Sequence, residues 1–445
     1  MTLGSWAIVN EQTLLGLVPL LLYIILAMKM KNGMIMPLVI SIAVGCIMSG
    51  NGAISFGRSL VGSLGGLMGQ VGLIVLMGAG LGGVMNKIGV TATLCRYIIR
   101  AFRVNSSTRA IWVITAVVFL LSFAVGSGTT AAAINIIFLI PIAAKFRIRP
   151  ITMTTIQLLA GFAGMTLSPF SATNIAAMEI TGLTFPEYLL WAAGPYVIIT
   201  FACSVILCFW VHKKFQKVEG GEFYELLEEK PDEEVDPVVK RATLAFIVFF
   251  IACIAFMIIF RGGLAFTFFY LGVGVFVMAL FGKHNVYDAL DTFFSSASRL
   301  LALFFNLVLL QVLLDTIGAM GGFEALGAFC SGFIGDSSSQ GVLMFIATMF
   351  GVFGINGAAA AQMVVINDVF APMVVAIGLT PAMWSMALLM GSLPSNFLYP
   401  GTTQWGILGI CNCSDFKTTM KVCWITVAVQ LVVAIAYCFI VPAIF

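Results

Sequence analysis

The sequence predicts an all-α polytopic membrane protein made of two inverted-topology repeats, each with five transmembrane helices plus one re-entrant hairpin and one broken helix. Three observations lead there. Hydrophobic residues make up 61% of the 445 and charged residues only 9%, with a mean hydropathy of +1.09. Apolar runs of about 20 residues, the length that crosses a bilayer as a helix, recur from end to end. Four landmarks of the first half return in order and at a nearly constant offset in the second: Gly128 as Gly357, Pro141 as Pro372, Pro150 as Pro381 and Thr173 as Thr403. Such a composition excludes a soluble domain. A β-barrel, with alternating strands of roughly 10 residues, leaves a different pattern.

Taken in order, the first repeat (1–211) holds spans near 12–28, 34–50 and 60–86, a hairpin at 111–144, a broken helix at 151–183 and a span at 186–211. A hydrophilic linker, 212–241, follows. The second repeat (242–445) holds spans near 242–260, 264–281 and 297–318, a hairpin at 342–376, a broken helix at 381–410 and a last span at 420–444. No basic residue precedes the first apolar run, whereas Lys29 and Lys31 follow it. A cleaved signal peptide needs its charge in front, so this run reads as a retained helix with the N-terminus outside. From that start, 20 of the 22 basic residues fall on the inner side, leaving Arg58 and Arg261 outside, as the positive-inside rule demands. Both termini are then outside and the linker is cytoplasmic, with a bacterial inner membrane as the expected location. The nine acidic residues between 219 and 236 read as a solvated connector.

An odd number of spans per half turns the second repeat over. Inverted repeats are the signature of secondary transporters, whose site lies near midplane where the repeats meet. The two long apolar stretches fit this scheme as hairpins. Residues 111–144 lie between Arg109 and the cluster Lys145, Arg147 and Arg149, so both ends share a side and "VGSGTT" forms the turn. Residues 342–376 have no basic neighbour and turn at "GINGAAAA". Glycine permits the positive φ and close packing that such tips require.

The chemistry sits where the helices are interrupted. "LSPFSATN" (167–174) and "LPSNFLYPGTTQ" (393–404) place Pro, Ser, Thr, Asn and Gln inside apolar runs. Each backbone group freed there costs several kcal/mol unless protein or a water-filled cavity supplies a partner. A kink that only shapes packing is one reading of a single Pro. Four polar interruptions at repeat-related positions point instead to a binding site, where helix N-termini face an anion and carbonyl ends face a cation. The candidate residues are Ser127, Gly128, Thr129, Thr130, Asn356 and Gly357 at the tips. At the breaks they are Ser168, Ser171, Thr173, Asn174, Ser395, Asn396, Thr402, Thr403 and Gln404. Asn135 and Gln362 extend the set, and Asp368 is a candidate for proton or cation coupling because an acid in a span costs about 2.5 to 3.5 kcal/mol. Na+ is a candidate ligand at the tips and breaks. No cationic side chain stands there, so an anion would rest on N–H groups and hydroxyls.

A re-entrant hairpin followed by a Ser/Thr/Asn-broken helix, present in two inverted halves, resembles the ion transporter superfamily. That group includes divalent anion/sodium symporters, anaerobic C4-dicarboxylate carriers, citrate carriers, gluconate permeases and certain sodium/proton antiporters. Its symporters carry a Ser-Asn-Thr motif in both halves; the nearest equivalents here are Ser171, Thr173 and Asn174, then Ser395, Asn396, Thr402, Thr403 and Gln404. The order departs from that motif, which leaves sodium dependence and substrate choice open. The resemblance implies import of a small organic anion (a di- or tricarboxylate or a sugar acid), coupling to Na+ or H+, an elevator-type mechanism and a homodimer. It implies no cofactor and no nucleic-acid partner.

The alternatives are weaker on the residues. A sodium/proton antiporter wants a buried carboxylate at midplane, and the breaks hold none. An enzyme would have only His212 and His284, both beside inner loops, with no nucleophile–base or metal-ligand cluster. The ten cysteines are scattered through apolar segments and read as small core residues, apart from the spacing Cys411-x-Cys413. A passive channel remains possible on topology alone.

Overall fold

In a chain this apolar the backbone N–H and C=O groups must pair within the chain, and the helix does that within each segment. The computed structural model is accordingly helical throughout. It describes residues 3–4, 6–9, 13–29, 35–101, 104–216, 223–225, 235–260, 263–334, 340–354, 359–399 and 401–444. The first half runs α1 (Val18–Lys29), α2 (Ile35–Met48), α3 (Ala53–Gly65), α4 (Leu67–Ile88), α5 (Val90–Ala101), α6 (Ser107–Val125), α7 (Gly128–Lys145), α8 (Pro150–Leu167), α9 (Ala172–Thr181), α10 (Phe185–Tyr188) and α11 (Gly194–Gln216). The second runs α12 (Pro237–Phe260), α13 (Gly263–Phe281), α14 (Val286–Ser298), α15 (Leu301–Ala319), α16 (Gly322–Ile334), α17 (Gln340–Val352), α18 (Ala359–Ile377), α19 (Pro381–Ser392), α20 (Ser395–Leu398), α21 (Thr402–Ile410) and α22 (Phe416–Ile444). Nine helices among the described residues are long and apolar enough to cross a membrane.

The order of elements occurs twice. In each half two apolar helices lead into a 13-residue polar-faced helix (α3, α14), a long helix (α4, α15), a second short amphipathic helix (α5, α16), a helix pair (α6–α7, α17–α18) and an interrupted helix. Pro141 lies inside α7 and Pro372 inside α18, while Pro150 opens α8 and Pro381 opens α19. Proline at the first helical position costs nothing because that N–H has no intrahelical partner. The helix pairs fall where the hairpins are expected, and both interrupted helices break where the polar residues stand.

Four boundaries differ from the sequence expectation. The run read as span 60–86 is two elements, α3 then α4, divided at Gly66, and the residues before span 297–318, expected in a loop, form α14, parted from α15 at Arg299–Leu300. Arg58, Ser59 and Ser63 in α3, and Asp288, Asp291 and Ser295 in α14, make these helices too polar on one side to continue a span. The same reason turns residues expected in loops into α5 and α16. The second break is also longer, because α20 forms one extra turn inside it.

The halves are not merely side by side. Helix α9 of the first half packs on α18 and α19 of the second, and α21 of the second packs on α7 and α8 of the first. The core shows the exchange: Phe397, Ile407, Val422 and Val427 join the cluster built on α6, α7 and α8, while Phe170, Ile175 and Ala176 join the other. Phe162 of α8 meets Phe397 at a centroid distance of 4.7 Å. Close helix approach on both sides uses glycine. A Cβ on Gly161 would lie 3.7 Å from Val118, and a Cβ on Gly391 would lie 3.4 Å from Thr348. These four residues form two pairs related by the repeat offset that carries Thr173 onto Thr403.

The linker is not wholly a free connector. Phe223 lies under the guanidinium of Arg149, 4.6 Å from its ring centroid, and Arg147 stands 5.9 Å away. Tyr224 donates its hydroxyl to the carbonyl of Cys411 at 2.7 Å. Burial pushes the Tyr224 phenol above its ordinary pKa. These two aromatic residues had no apolar periodicity around them to mark them as docked.

The Phe162–Phe397 contact carries a prediction for the interlock. Phe397 is 1% exposed, so Phe397→Ala should cost about 3 kcal/mol by leaving a cavity between the halves. Thermal unfolding of the purified full chain in detergent reads this, and an unchanged melting temperature would mean the contact is not part of the folded protein.

Candidate functional site

The first helix pair turns at Gly126, whose φ of +73 is left-handed and whose N–H closes α6 on the Ser122 carbonyl at 2.9 Å. Ser127 then caps α7: its oxygen accepts from the Thr130 N–H at 3.4 Å, and its hydroxyl donates to Thr130 Oγ1 at 3.0 Å. This tip rests on the first break. A Cβ added to Gly126 would lie 3.0 Å from the Phe170 carbonyl oxygen and 3.3 Å from the Ser171 nitrogen. Only glycine combines that backbone with that contact.

Within the break, Ser168 ends α8 and Ser171 precedes α9. Phe170 donates its N–H to Ser168 Oγ at 3.3 Å, and its ring stacks on Tyr270 of α13 at 3.9 Å and 14°. The carbonyls freed at the end of α8 are met by one side chain. Asn174 donates Nδ2 to the carbonyls of Thr166 (2.8 Å) and Ser168 (2.7 Å), and accepts from the Tyr188 hydroxyl at 2.9 Å. Asn174 is fully buried. It splints the interrupted helix across its gap.

The second break has the same device. Gln404 occupies the repeat position of Asn174. It is fully buried and donates Nε2 to the Asn396 carbonyl at 2.5 Å, while its Oε1 accepts from the Gly401 N–H at 3.0 Å. Ser395 donates to the Ser392 carbonyl at 2.7 Å, and Asn396 donates Nδ2 to the Leu393 carbonyl at 3.2 Å. Tyr399 reaches back to the Phe353 carbonyl at 3.4 Å, tying the break to the end of α17. Thus each break abuts the helix pair of its own half.

What the splints leave without intrahelical partners, among the described residues, is the first turn of the helix that follows each break. In α9 the first intrahelical bond runs from Ile175 N to Ser171 O, so the N–H groups of Ala172, Thr173 and Asn174 precede it. In α21 it runs from Trp405 N to Gly401 O, and in α7 from Ala131 N to Ser127 O. Helix starts of this kind carry partial positive charge and free donors. No Lys, Arg or His occurs in 126–130, 168–174 or 391–404. The arrangement can hold an anion with backbone N–H and hydroxyl groups and no formal charge.

The structure brings together Ser127, Gly128, Thr130, Ser168, Ser171, Thr173 and Asn174 around the first break, and Ser395, Asn396, Thr403 and Gln404 around the second. Thr129 is exposed. Thr402 opens α21. Asn356 and Gly357 lie outside the described residues. Asn135 is not at the tip: it is buried between α7 and α8, where its Oδ1 accepts from Gln157 Nε2 at 2.5 Å. Gln362 is buried against Gly354. Asp368 is exposed on α18, with Asp315 and Glu324 close enough to act on it electrostatically. Among the described residues no group of three or more His, Cys, Asp or Glu converges as a metal site.

Tyr188 was missed from the sequence. The rest of α9 and a turn separate it from Asn174, and nothing local marks an aromatic as the partner of a distant amide. Trp384, which donates Nε1 to Asn367 Oδ1 at 3.0 Å, escaped for the same reason.

Residues 68–442 match the family of C4-dicarboxylate anaerobic carriers, DcuC. The chain belongs to that family. It is therefore an integral membrane transporter and not an enzyme. Among solved structures it is similar to MtrF of Neisseria gonorrhoeae, described as illuminating a class of antimetabolite efflux pumps, at 15% identity and a TM-score of 0.56, over 95% of this chain and 94% of that one. It is also similar to the YdaH transporter of Alcanivorax borkumensis, described as having an unusual topology, at 12% identity and a TM-score of 0.59, over 88% of this chain and 89% of that one. At these identities the likeness concerns the fold. No curated protein matches the sequence.

Splinting predicts a specific sensitivity. Asn174→Asp replaces a donor by a carboxylate that accepts only, set against two carbonyl oxygens. It should cost about 3 kcal/mol and abolish transport. Gln404→Glu should act in the same direction. Melting temperatures of the two variants in detergent check this, and two wild-type values would remove the splint from the account.

Proposed function

We propose that this carrier imports a C4-dicarboxylate, coupled to Na+ or H+, by alternating access of an elevator type. The observation that carries the substrate reading is the paired break: each half presents helix N-termini and hydroxyls at an interruption whose carbonyl side is already occupied by Asn174 or Gln404. A dianion matches that donor-rich, uncharged lining, and the family match supplies the four-carbon class. The same reading extends to two inverted repeats, 1–211 and 242–445, joined by a cytoplasmic linker at 212–241. Both termini lie outside an inner membrane, the helix pairs are re-entrant, and the assembly is a homodimer. The repeated order of elements and the one-sided distribution of basic residues support this orientation.

Coupling is assigned to the breaks and tips rather than to Asp368. The hydroxyl oxygens of Ser168, Ser171 and Ser395 and the side-chain amide oxygen of Asn396 suit Na+ ligation, an oxygen set with no need for a carboxylate. Asp368 is exposed, with Asp315 and Glu324 as its electrostatic neighbours.

Proteoliposome uptake of labelled succinate tests the reading. An inward Na+ or proton gradient should drive accumulation beyond equilibrium, with competition by fumarate and malate. Thr173→Val and Thr403→Val should each raise KM about tenfold, the loss of one hydrogen bond worth roughly 1.4 kcal/mol. Uptake that never exceeds equilibrium under either gradient would make the protein a passive pore. Substrate-independent exchange of Na+ for protons would make it an antiporter.

A further inference from the structure

A second polar place lies behind the breaks, where α11, α19 and α22 meet. Gln430 sits in the middle of α22, a 29-residue helix that is otherwise almost wholly apolar through this stretch. Its side chain is 4% exposed, and among the described residues neither its Oε1 nor its Nε2 has a hydrogen-bond partner. The hydroxyl of Tyr196, a 5% exposed residue of α11, is in the same condition. These groups line one small cavity of about 10 Å³, together with Thr200, Ile199, Met390 and Val433. A buried amide without partners costs on the order of 1 to 3 kcal/mol, so the cavity and the unpaired atoms call for a common explanation.

Its place in the fold is informative. Thr200 and Gln430 are related by the same offset that carries Thr173 onto Thr403 and Asn174 onto Gln404. Equivalent positions of the two halves therefore face one cavity, which puts it on the pseudo-two-fold relation between them. Met390 belongs to α19, just before Ser392, where the second break begins. On the other side, the five-residue π-helical segment Leu189–Ala193 separates Tyr188, which holds Asn174 of the first break, from Tyr196. Such π segments shift the face that later residues present and concentrate at functional places.

We propose that this cavity is a built site for one water molecule, held by Gln430, the Tyr196 hydroxyl and the Thr200 oxygen at the crossing of α11 and α22. The volume corresponds to one water, which needs about 10 to 15 Å³ of such space and two to four polar partners. The donor set decides against a cation. Na+ takes more oxygens than the three neutral ones present here, and no carboxylate lines the cavity. The water completes the hydrogen bonding of the Gln430 amide and ties α22 of the second half to α11 of the first, beside α19 and the second break.

Radiolytic hydroxyl-radical footprinting of the full chain in nanodiscs tests this, because a bound water generates radicals in place. Met390 and Tyr196 should be oxidised several-fold more than Met386, a fully buried methionine of α19 outside the cavity. In Gln430→Leu the labelling of Met390 should fall to the Met386 level. Thermal unfolding supplies a second reading: Tyr196→Phe and Gln430→Leu should be non-additive, since both remove partners of the same molecule. Met390 labelled no more than Met386 in the wild type would overturn the proposal. So would a melting temperature raised by sodium chloride but not choline chloride and lost in Gln430→Leu, which would give the site to Na+.

Discussion

Everything in this protein depends on how an interrupted helix is made tolerable at membrane depth. Each break frees carbonyls and N–H groups that hydrocarbon cannot satisfy, at several kcal/mol apiece. The chain resolves half of that problem with one buried amide per repeat. Asn174 takes the carbonyls of Thr166 and Ser168, and Gln404 takes that of Asn396 and the N–H of Gly401. The other half is left open as donors at the starts of α9 and α21. Structural cost and binding capacity are thus two sides of one interruption.

That division explains the uncharged character of the candidate site. A Lys or Arg placed there would bind an anion more strongly, but would also need a partner whenever the site empties. Backbone N–H groups at a helix start are fixed in place and bear only partial charge. Their own helix supplies the field. The crosswise packing of α9 on α18 and α19, and of α21 on α7 and α8, brings both interruptions into the zone where the halves interlock. A change at one break is then felt by the other half's helix pair.

Much of the fold was legible in the sequence because hydrophobic length and repeated landmarks are strong signals. Pro150 and Pro381 open equivalent helices, and Pro141 and Pro372 lie inside equivalent ones, as their spacing implied. The short polar-faced helices α3, α5, α14 and α16 were not legible as separate elements, since a helix with one apolar face next to a span blurs its boundary. Polar breaks could be found, but the roles within them could not. Asn174 read as a ligand, and its amide proves to be fully engaged by Thr166, Ser168 and Tyr188. That engagement depends on a tyrosine beyond the end of α9 and across a turn, which no local pattern encodes. Asn135 extended the candidate set as a polar group on a repeat element, and its pairing with Gln157 holds it between α7 and α8.

The most direct test of the central claim is a structure of the carrier with a bound C4-dicarboxylate at a resolution that shows its carboxylates. The account predicts those carboxylates against the N–H and hydroxyl groups that begin α7, α9 and α21, with Asn174 and Gln404 still bound to their carbonyls. A dicarboxylate held instead by arginine or lysine side chains away from both breaks would contradict it.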